Sequence, residues 1–145
     1  MDEQAKWEYI NKLDEELLIG NIILSEWSTF LIRDAETAFC KGANLAVILV
    51  AVAGIESHLR FEYYSDPSEK KHRLYDLIEN APVPHDLKED LHKLRQYRNK
   101  WVHVEDPNDD EELLNKPEYV EEELEDMARF AIRLLLQTIY LEQGT

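Results

Sequence analysis

The stretch LRQYRNKWVHVEDP, from Leu94 to Pro107, predicts the end of an amphipathic helix. Apolar side chains recur there at steps of three and four residues, which is the spacing of one helix face. Arg98 falls inside this stripe, where an unpaired guanidinium would be costly to bury. Asp106 comes directly before Pro107 and ends the helix, because a residue that precedes proline is pushed out of the helical region. The members of the stripe are Leu87, Leu91, Leu94, Arg98 and Trp101.

His103 follows Arg98 by five residues and has the side chain best suited to proton transfer near neutral pH. At about 3.6 residues per turn, positions five apart on a helix point roughly 140° away from each other. Arg98 and His103 of one straight helix therefore cannot meet at one atom. Either the end of the helix deforms, or a second copy of the chain completes the site.

The hexapeptide Arg98-Asn99-Lys100-Trp101-Val102-His103 resembles the R-x4-6-H signature of the HEPN superfamily, which often has a polar residue directly after the arginine. The resemblance covers about six residues in motif and most of the chain in architecture. It implies an all-α fold in which residues 1–145 form a single HEPN-like domain. It further implies an up-and-down bundle of about five to six helices that pairs as a two-fold dimer.

The same resemblance implies a metal-independent RNA endonuclease whose composite active site lies at the homodimer interface. His103 would transfer the proton of the ribose 2′-hydroxyl, and Arg98 would hold the scissile phosphate. Asn99 would orient the phosphate or the histidine, and Trp101 would support the interface between the two motif helices. The expected partners are RNA, a second copy of the chain, and an antitoxin or other defence-system protein, because the family acts in toxin–antitoxin and antiviral systems.

One position departs from part of the family. Some HEPN toxins that are paired with nucleotidyltransferase antitoxins carry a tyrosine two residues after the histidine, and their partner modifies it. Glu105 occupies that position here. The resemblance therefore does not imply this kind of control.

Composition indicates one domain without a disulfide or a metal site. The chain has 145 residues, enough for one domain with an ordinary core. Its single cysteine, Cys40, cannot form an intramolecular disulfide and is expected to be a buried thiol. No set of His, Asp and Glu residues has the spacing that holds zinc or iron, so no metal or other cofactor is expected.

The expected location is cytoplasmic. The first residues are charged and lack a signal-peptide pattern. The longest apolar run, Leu45 to Ile55, is too short to span a bilayer, so no membrane association is expected.

Charge is unevenly distributed along the chain, whose formal net charge is −15. Residues 58–103 hold nine Lys and Arg against eight Asp and Glu, whereas the segments on both sides are strongly acidic. All five histidines also lie in this middle segment. The overall acidity argues against a protein that coats nucleic acid nonspecifically, but the middle segment can still form a local phosphate site.

Periodicity and turn residues predict six helices and one polar loop. The helices are expected over 2–18, 25–40, 43–64, 68–79, 85–102 and 117–142, and the loop over 104–116. The third helix is apolar on every side and should be the central one. Packing residues are expected at Trp7, Ile10, Leu13 and Leu17, at Trp27, Phe30, Leu31, Ala35 and Ala38, at Leu74, Leu77 and Ile78, and at Tyr119, Leu124, Met127, Phe130, Leu134, Leu135 and Ile139.

Glu56 interrupts the apolar stripe of the third helix as Arg98 interrupts that of the fifth. Because a buried charge without a partner is costly, we expect these two opposite charges to form an ion pair. In that case Arg98 could serve the fold and not catalysis.

Two other interpretations remain open at this point. The chain could be a non-catalytic HEPN-like module for dimerisation or partner binding, in which Arg98 and Asn99 serve the fold. It could also be an acidic helical interaction protein in which the motif occurs by chance.

Overall fold

The structure, a computed structural model, describes residues 1–64, 66, 72–109 and 111–144. In these residues the chain is all-helical and forms seven α-helices. They are α1 (Glu3–Leu17), α2 (Glu26–Cys40), α3 (Asn44–Tyr63), α4 (Leu74–Asn80), α5 (His85–Val102), α6 (Glu111–Asn115) and α7 (Pro117–Ile139).

The prediction that the apolar helix is the central one is confirmed. α3 packs most extensively against α2 and α7, and it also contacts α4 and α5. By length and composition alone its 20 residues could cross a membrane, but much of this helix is buried by the rest of the chain, as in the core helix of a soluble protein. Gly54 allows close packing here, because a Cβ atom at this position would lie 3.1 Å from Leu135 Cδ1.

The predicted packing face of α2 was partly wrong. Trp27 is 80% exposed and Phe30 is 58% exposed, while Ile32 and Phe39 are buried. The helix turns its Ser28 side inward, and the buried Ser28 hydroxyl is satisfied there by the Ser57 hydroxyl of α3 at 3.1 Å. A small, satisfied polar residue therefore occupies the core face, and the two aromatic residues point to solvent.

The last residues of the chain pack against the connection between α1 and α2, and α7 ends at Ile139 and not at about Glu142 as predicted. Asn21 and Gly144 form an isolated antiparallel bridge. The Gln143 side chain accepts hydrogen bonds from the backbone N–H groups of Ile19 and Gly20 at 2.9 and 2.8 Å. The last residues thus leave the helix to fix the connection between α1 and α2.

Two further boundaries differ from prediction. α4 begins at Leu74, since Arg73 is extended with φ −75° and ψ 161°; the part of the predicted helix over 68–71 lies outside the described residues. The predicted polar loop contains the short helix α6.

Two predicted core residues are at the surface. Trp7 and Tyr119, expected in the core, are 38% and 64% exposed.

The packing places α2 and α5 on different sides of the bundle. α3 and α7 each contact both of these helices, whereas α2 and α5 do not contact each other. α5 instead packs against α3, α4 and α7. The motif helix therefore lies away from the exposed aromatic residues of α2.

Candidate active site

α5 has the predicted bounds, His85 to Val102, and the predicted core face of Leu87, Leu91 and Leu94. His103 is the C-cap residue, with φ −125° and ψ 63°, and its backbone N–H donates to the Asn99 carbonyl at 2.9 Å. The helix therefore stays regular up to the last motif residue. The imidazole is exposed at the point where the chain leaves the helix.

The predicted ion pair between Glu56 and Arg98 does not form. The Glu56 carboxylate instead binds the Arg60 guanidinium at 3.0 Å. Arg60 lies four residues further along α3, a spacing that brings two side chains together on one helix face. Arg60 also donates to the backbone carbonyl of His72, which fixes the segment before α4.

Arg98 is half-buried, and its Nε atom is buried without a hydrogen-bond partner. The Tyr97 hydroxyl and the Trp101 indole nitrogen are also buried and form no hydrogen bond of normal geometry, although they are close enough for the indole to lower the pKa of Tyr97. These three groups lie on one turn of α5 within an arc of about 100°. Buried polar atoms without partners are uncommon, so the buried Nε atom of Arg98 requires an explanation.

A cleft of about 910 Å³ opens at the C-terminal end of α5. Asn99, Lys100, Trp101 and His103 line it from the helix, and residues of the following loop and of α6 line the rest. The remaining lining residues are Val104, Glu105, Asp106, Asp109 and Leu113.

This cleft brings together Asn99, Trp101 and His103 from the predicted set. Arg98 and Glu56 are not among the residues that line it. The divergence of Arg98 and His103 expected from helical geometry is therefore present, since the helix end does not deform to bring both side chains into one cleft.

The electrostatics of the cleft are mixed. The Lys100 ammonium lies 5.6 Å from the centre of the Tyr97 ring, and three carboxylates of the following loop also line the cleft. Burial raises the pKa of Tyr97, the Trp101 indole lowers it, and Glu123 of α7 raises it further. Tyr97 therefore stays a neutral hydroxyl, able to donate a hydrogen bond.

Sequence reasoning missed a polar cluster between α4 and α5. The His92 imidazole lies 2.7 Å from the Glu79 carboxylate, and Arg95 donates to the other ring nitrogen of His92 at 3.3 Å. The exposed ring of Tyr75 packs against both α5 side chains. The spacing of His92, Arg95 and Asn99, three and four residues apart, placed these residues on one face of α5 but did not indicate their contacts with α4.

Other reactive side chains lie in the core. Cys40 is buried as expected, and burial raises the pKa of its thiol to about 11. His58 is 2% exposed, and burial lowers its pKa. In the part of the chain that the structure describes, no group of three or more His, Cys, Asp or Glu side chains could hold a metal ion.

Comparison with protein-family models, with curated proteins and with solved structures finds no match to this chain. The functional assignment therefore depends on the residues of the cleft and on their resemblance to the HEPN motif.

Proposed function

We propose that this chain is a metal-independent RNA endonuclease of the HEPN type that acts in the cytoplasm as a homodimer. One observation supports the proposal most directly. Asn99 and His103 line the same cleft at the end of α5, and Arg98 makes no ion pair with any residue that the structure describes. A guanidinium that stabilised only the fold would be expected to have its charge paired.

The proposed chemistry uses the RNA's own 2′-hydroxyl as the nucleophile. His103 takes the proton of this hydroxyl as its oxygen bonds to the adjacent phosphorus. The bond from phosphorus to the 5′-oxygen breaks, and the protonated His103 of a second copy gives its proton to the leaving oxygen. The products are a 2′,3′-cyclic phosphate and a 5′-hydroxyl end. Arg98 offsets the charge that develops on the phosphate, and Asn99 orients it.

The homodimer follows from the divergence of the motif residues. Since Arg98 does not line the cleft of its own chain, a facing copy of α5 is needed to bring a guanidinium to His103. Light scattering at micromolar concentration should then report about twice 17.1 kDa. A strict monomer under these conditions would remove the composite-site mechanism. The partner that controls such a nuclease would be an antitoxin or another defence protein.

The deciding experiment is cleavage of a mixed tRNA and mRNA pool in the presence of EDTA. Wild-type protein should cleave, and His103→Ala should cleave about 100- to 10,000-fold more slowly, which is the usual loss when a general acid–base group is removed. His85→Ala is the matched control, because His85 is an exposed histidine at the other end of α5. Circular dichroism on each protein verifies the fold. Cleavage that survives in His103→Ala would point to a contaminant or to a different site.

A second candidate function is a non-catalytic partner-binding module. The observation that favours it is an exposed apolar surface at the start of α2, where Trp27 and Phe30 are 80% and 58% exposed and Ile23, just before the helix, is 78% exposed. Large exposed apolar groups of this kind often mark protein–protein contact sites. A folded wild-type dimer that cleaves no RNA, but dissociates in Trp27→Ser, would favour this function.

A further inference from the structure

The surface between α4 and α5 combines an exposed aromatic ring with a guanidinium. Tyr75 is 48% exposed, and its ring centre lies 5.2 Å from the Arg95 guanidinium. The His92 ring is also close, with 5.1 Å between the ring centres and an angle of 40° between the planes. Both contacts come from α5, so much of the tyrosine remains accessible to solvent.

Hydrogen bonds fix this group in place and leave Arg95 without a direct ion pair among the described residues. Arg95 donates from Nε to His92 Nδ1, so His92 carries its proton on Nε2 and donates it to Glu79. Glu79 is therefore engaged by histidine and not by arginine. Arg95 makes no ion pair with any described residue, and Lys88 adds positive charge nearby by donating to the Glu79 backbone carbonyl at 2.8 Å.

We infer that Tyr75 and Arg95 form a subsite for an unpaired nucleotide of RNA, with the base stacked on Tyr75 and a phosphate bound by Arg95. Aromatic rings beside guanidinium groups are a common way to hold single-stranded nucleic acid. The inference rests on the proposed ribonuclease function, because it assigns the substrate a path toward the cleft.

The path of the RNA strand is inferred from the spacing of three residues on α5. Arg95, Asn99 and His103 are four residues apart and so lie on the same side of the helix. At 1.5 Å per residue, Arg95 and His103 are separated by about 12 Å along the axis. A single strand on this side of α5 could therefore reach both residues, and Tyr75 would hold a nucleotide a short distance from the cleaved bond.

Two other exposed aromatic–cation pairs occur among the described residues, and neither has the same surroundings. Arg33 lies 4.6 Å from the Phe30 ring, but it is paired with Asp34 at 3.3 Å and lies on α2. Lys116 lies 5.8 Å from the Tyr119 ring at the acidic start of α7. These pairs provide matched controls on the same protein.

The experiment measures binding without cleavage. The His103→Ala protein is titrated into a fluorescein-labelled single-stranded RNA of mixed sequence, and fluorescence anisotropy gives the Kd. Adding Tyr75→Ala or Arg95→Gln should raise the Kd about fivefold or more, the effect expected when a stacked base or a phosphate contact is lost. Tyr75→Phe keeps a stacking ring and should bind like the parent. Tyr119→Ala and Arg33→Gln should also leave the Kd unchanged.

The outcomes separate this subsite from the nuclease proposal. If wild type cleaves RNA but Tyr75→Ala and Arg95→Gln bind like the parent, the subsite is wrong and the nuclease stands. If wild type cleaves nothing but binding depends on Tyr75 and Arg95, the subsite stands and the nuclease fails. If only Arg95→Gln weakened RNA binding and Tyr75→Ala did not, base stacking on Tyr75 would be wrong. An absence of binding by the parent protein would overturn the subsite as a whole.

Discussion

Glu56 in α3 and Arg98 in α5 both interrupt an apolar stripe, but only one of these two charged side chains has an ion-pair partner among the described residues. Glu56 is paired with Arg60 of its own helix at 3.0 Å. Arg98 keeps a buried Nε atom without a hydrogen-bond partner, and no ion pair of its guanidinium with a described residue is found. A charge that is satisfied within its own helix fits a role in the fold. A buried donor without a partner lowers the stability of the fold, and such donors are typical of functional sites.

The largest effect that this comparison predicts is the loss of RNA cleavage in the Arg98→Met variant. Methionine keeps an unbranched chain of similar length but removes the buried unsatisfied donor. The free energy of unfolding should therefore stay within about 1 kcal/mol of wild type or rise. RNA cleavage should fall at least about 100-fold, or roughly 2.7 kcal/mol in the activation free energy, because the phosphate loses its guanidinium. Urea unfolding and cleavage rates measure the two quantities.

Arg60→Met is the matched control for this prediction. It removes an arginine that is paired with Glu56 and bound to the His72 carbonyl, so it should destabilise the fold while leaving cleavage nearly unchanged. The comparison fails if Arg98→Met unfolds the protein and Arg60→Met abolishes cleavage.

Glu36 is a carboxylate that, unlike Glu56, makes no ion pair with a described residue. Burial, followed by the Asp14 carboxylate, raises the pKa of Glu36 from 4.5 to about 7. The folded state therefore binds the proton more tightly than the unfolded state. The resulting stability is fully present below pH 4.5 and is lost as the pH rises through about 7. At about 1.4 kcal/mol per pKa unit, the loss amounts to about 3 kcal/mol.

Glu36→Gln should remove this pH dependence, because the amide does not ionise. Urea unfolding at several pH values between about 4.5 and 8 should show the wild-type free energy falling by about 3 kcal/mol relative to the variant. Glu15→Gln, an exposed residue of α1, should follow the wild type. Parallel curves for wild type and Glu36→Gln would show that this carboxyl group ionises normally in the folded state.

The helices could be predicted from the sequence where a local signal marks their ends. The predicted start of α2 at residue 25 is correct to within one residue, and Ser25 caps the helix by accepting from the Ser28 backbone N–H at 3.1 Å. The predicted starts at residues 85 and 117 are also correct, and each helix begins at or directly after a proline. The end of α7 could not be predicted, because it depends on the bridge between Asn21 and Gly144, which are distant in sequence.

The candidate site could be predicted only in part, for a related reason. The resemblance to the HEPN motif led us to expect Asn99 to act beside His103, and both line the cleft, while helical geometry predicted the divergence of Arg98 from His103. The partner of Glu56 depended on a choice between two arginines, and the nearer one on the same helix was overlooked. The group formed by Tyr75, His92 and Arg95 joins two helices, and spacing within one helix does not reveal such contacts.

The smallest effect is expected at Trp27, which sequence patterning placed in the core. With 80% of its surface exposed, Trp27→Ala should change the free energy of unfolding by no more than about 0.5 kcal/mol. Ile32→Ala, on the buried side of the same helix, should cost about 2–5 kcal/mol. Urea unfolding of both variants at several protein concentrations is the measurement. A large loss in Trp27→Ala that grows with protein concentration would mean that α2 is covered by a second copy, because association stabilises the folded state by mass action. Since α2 and α5 do not contact each other, a dimer through α2 would not bring two copies of α5 together, and the composite site would lose its basis.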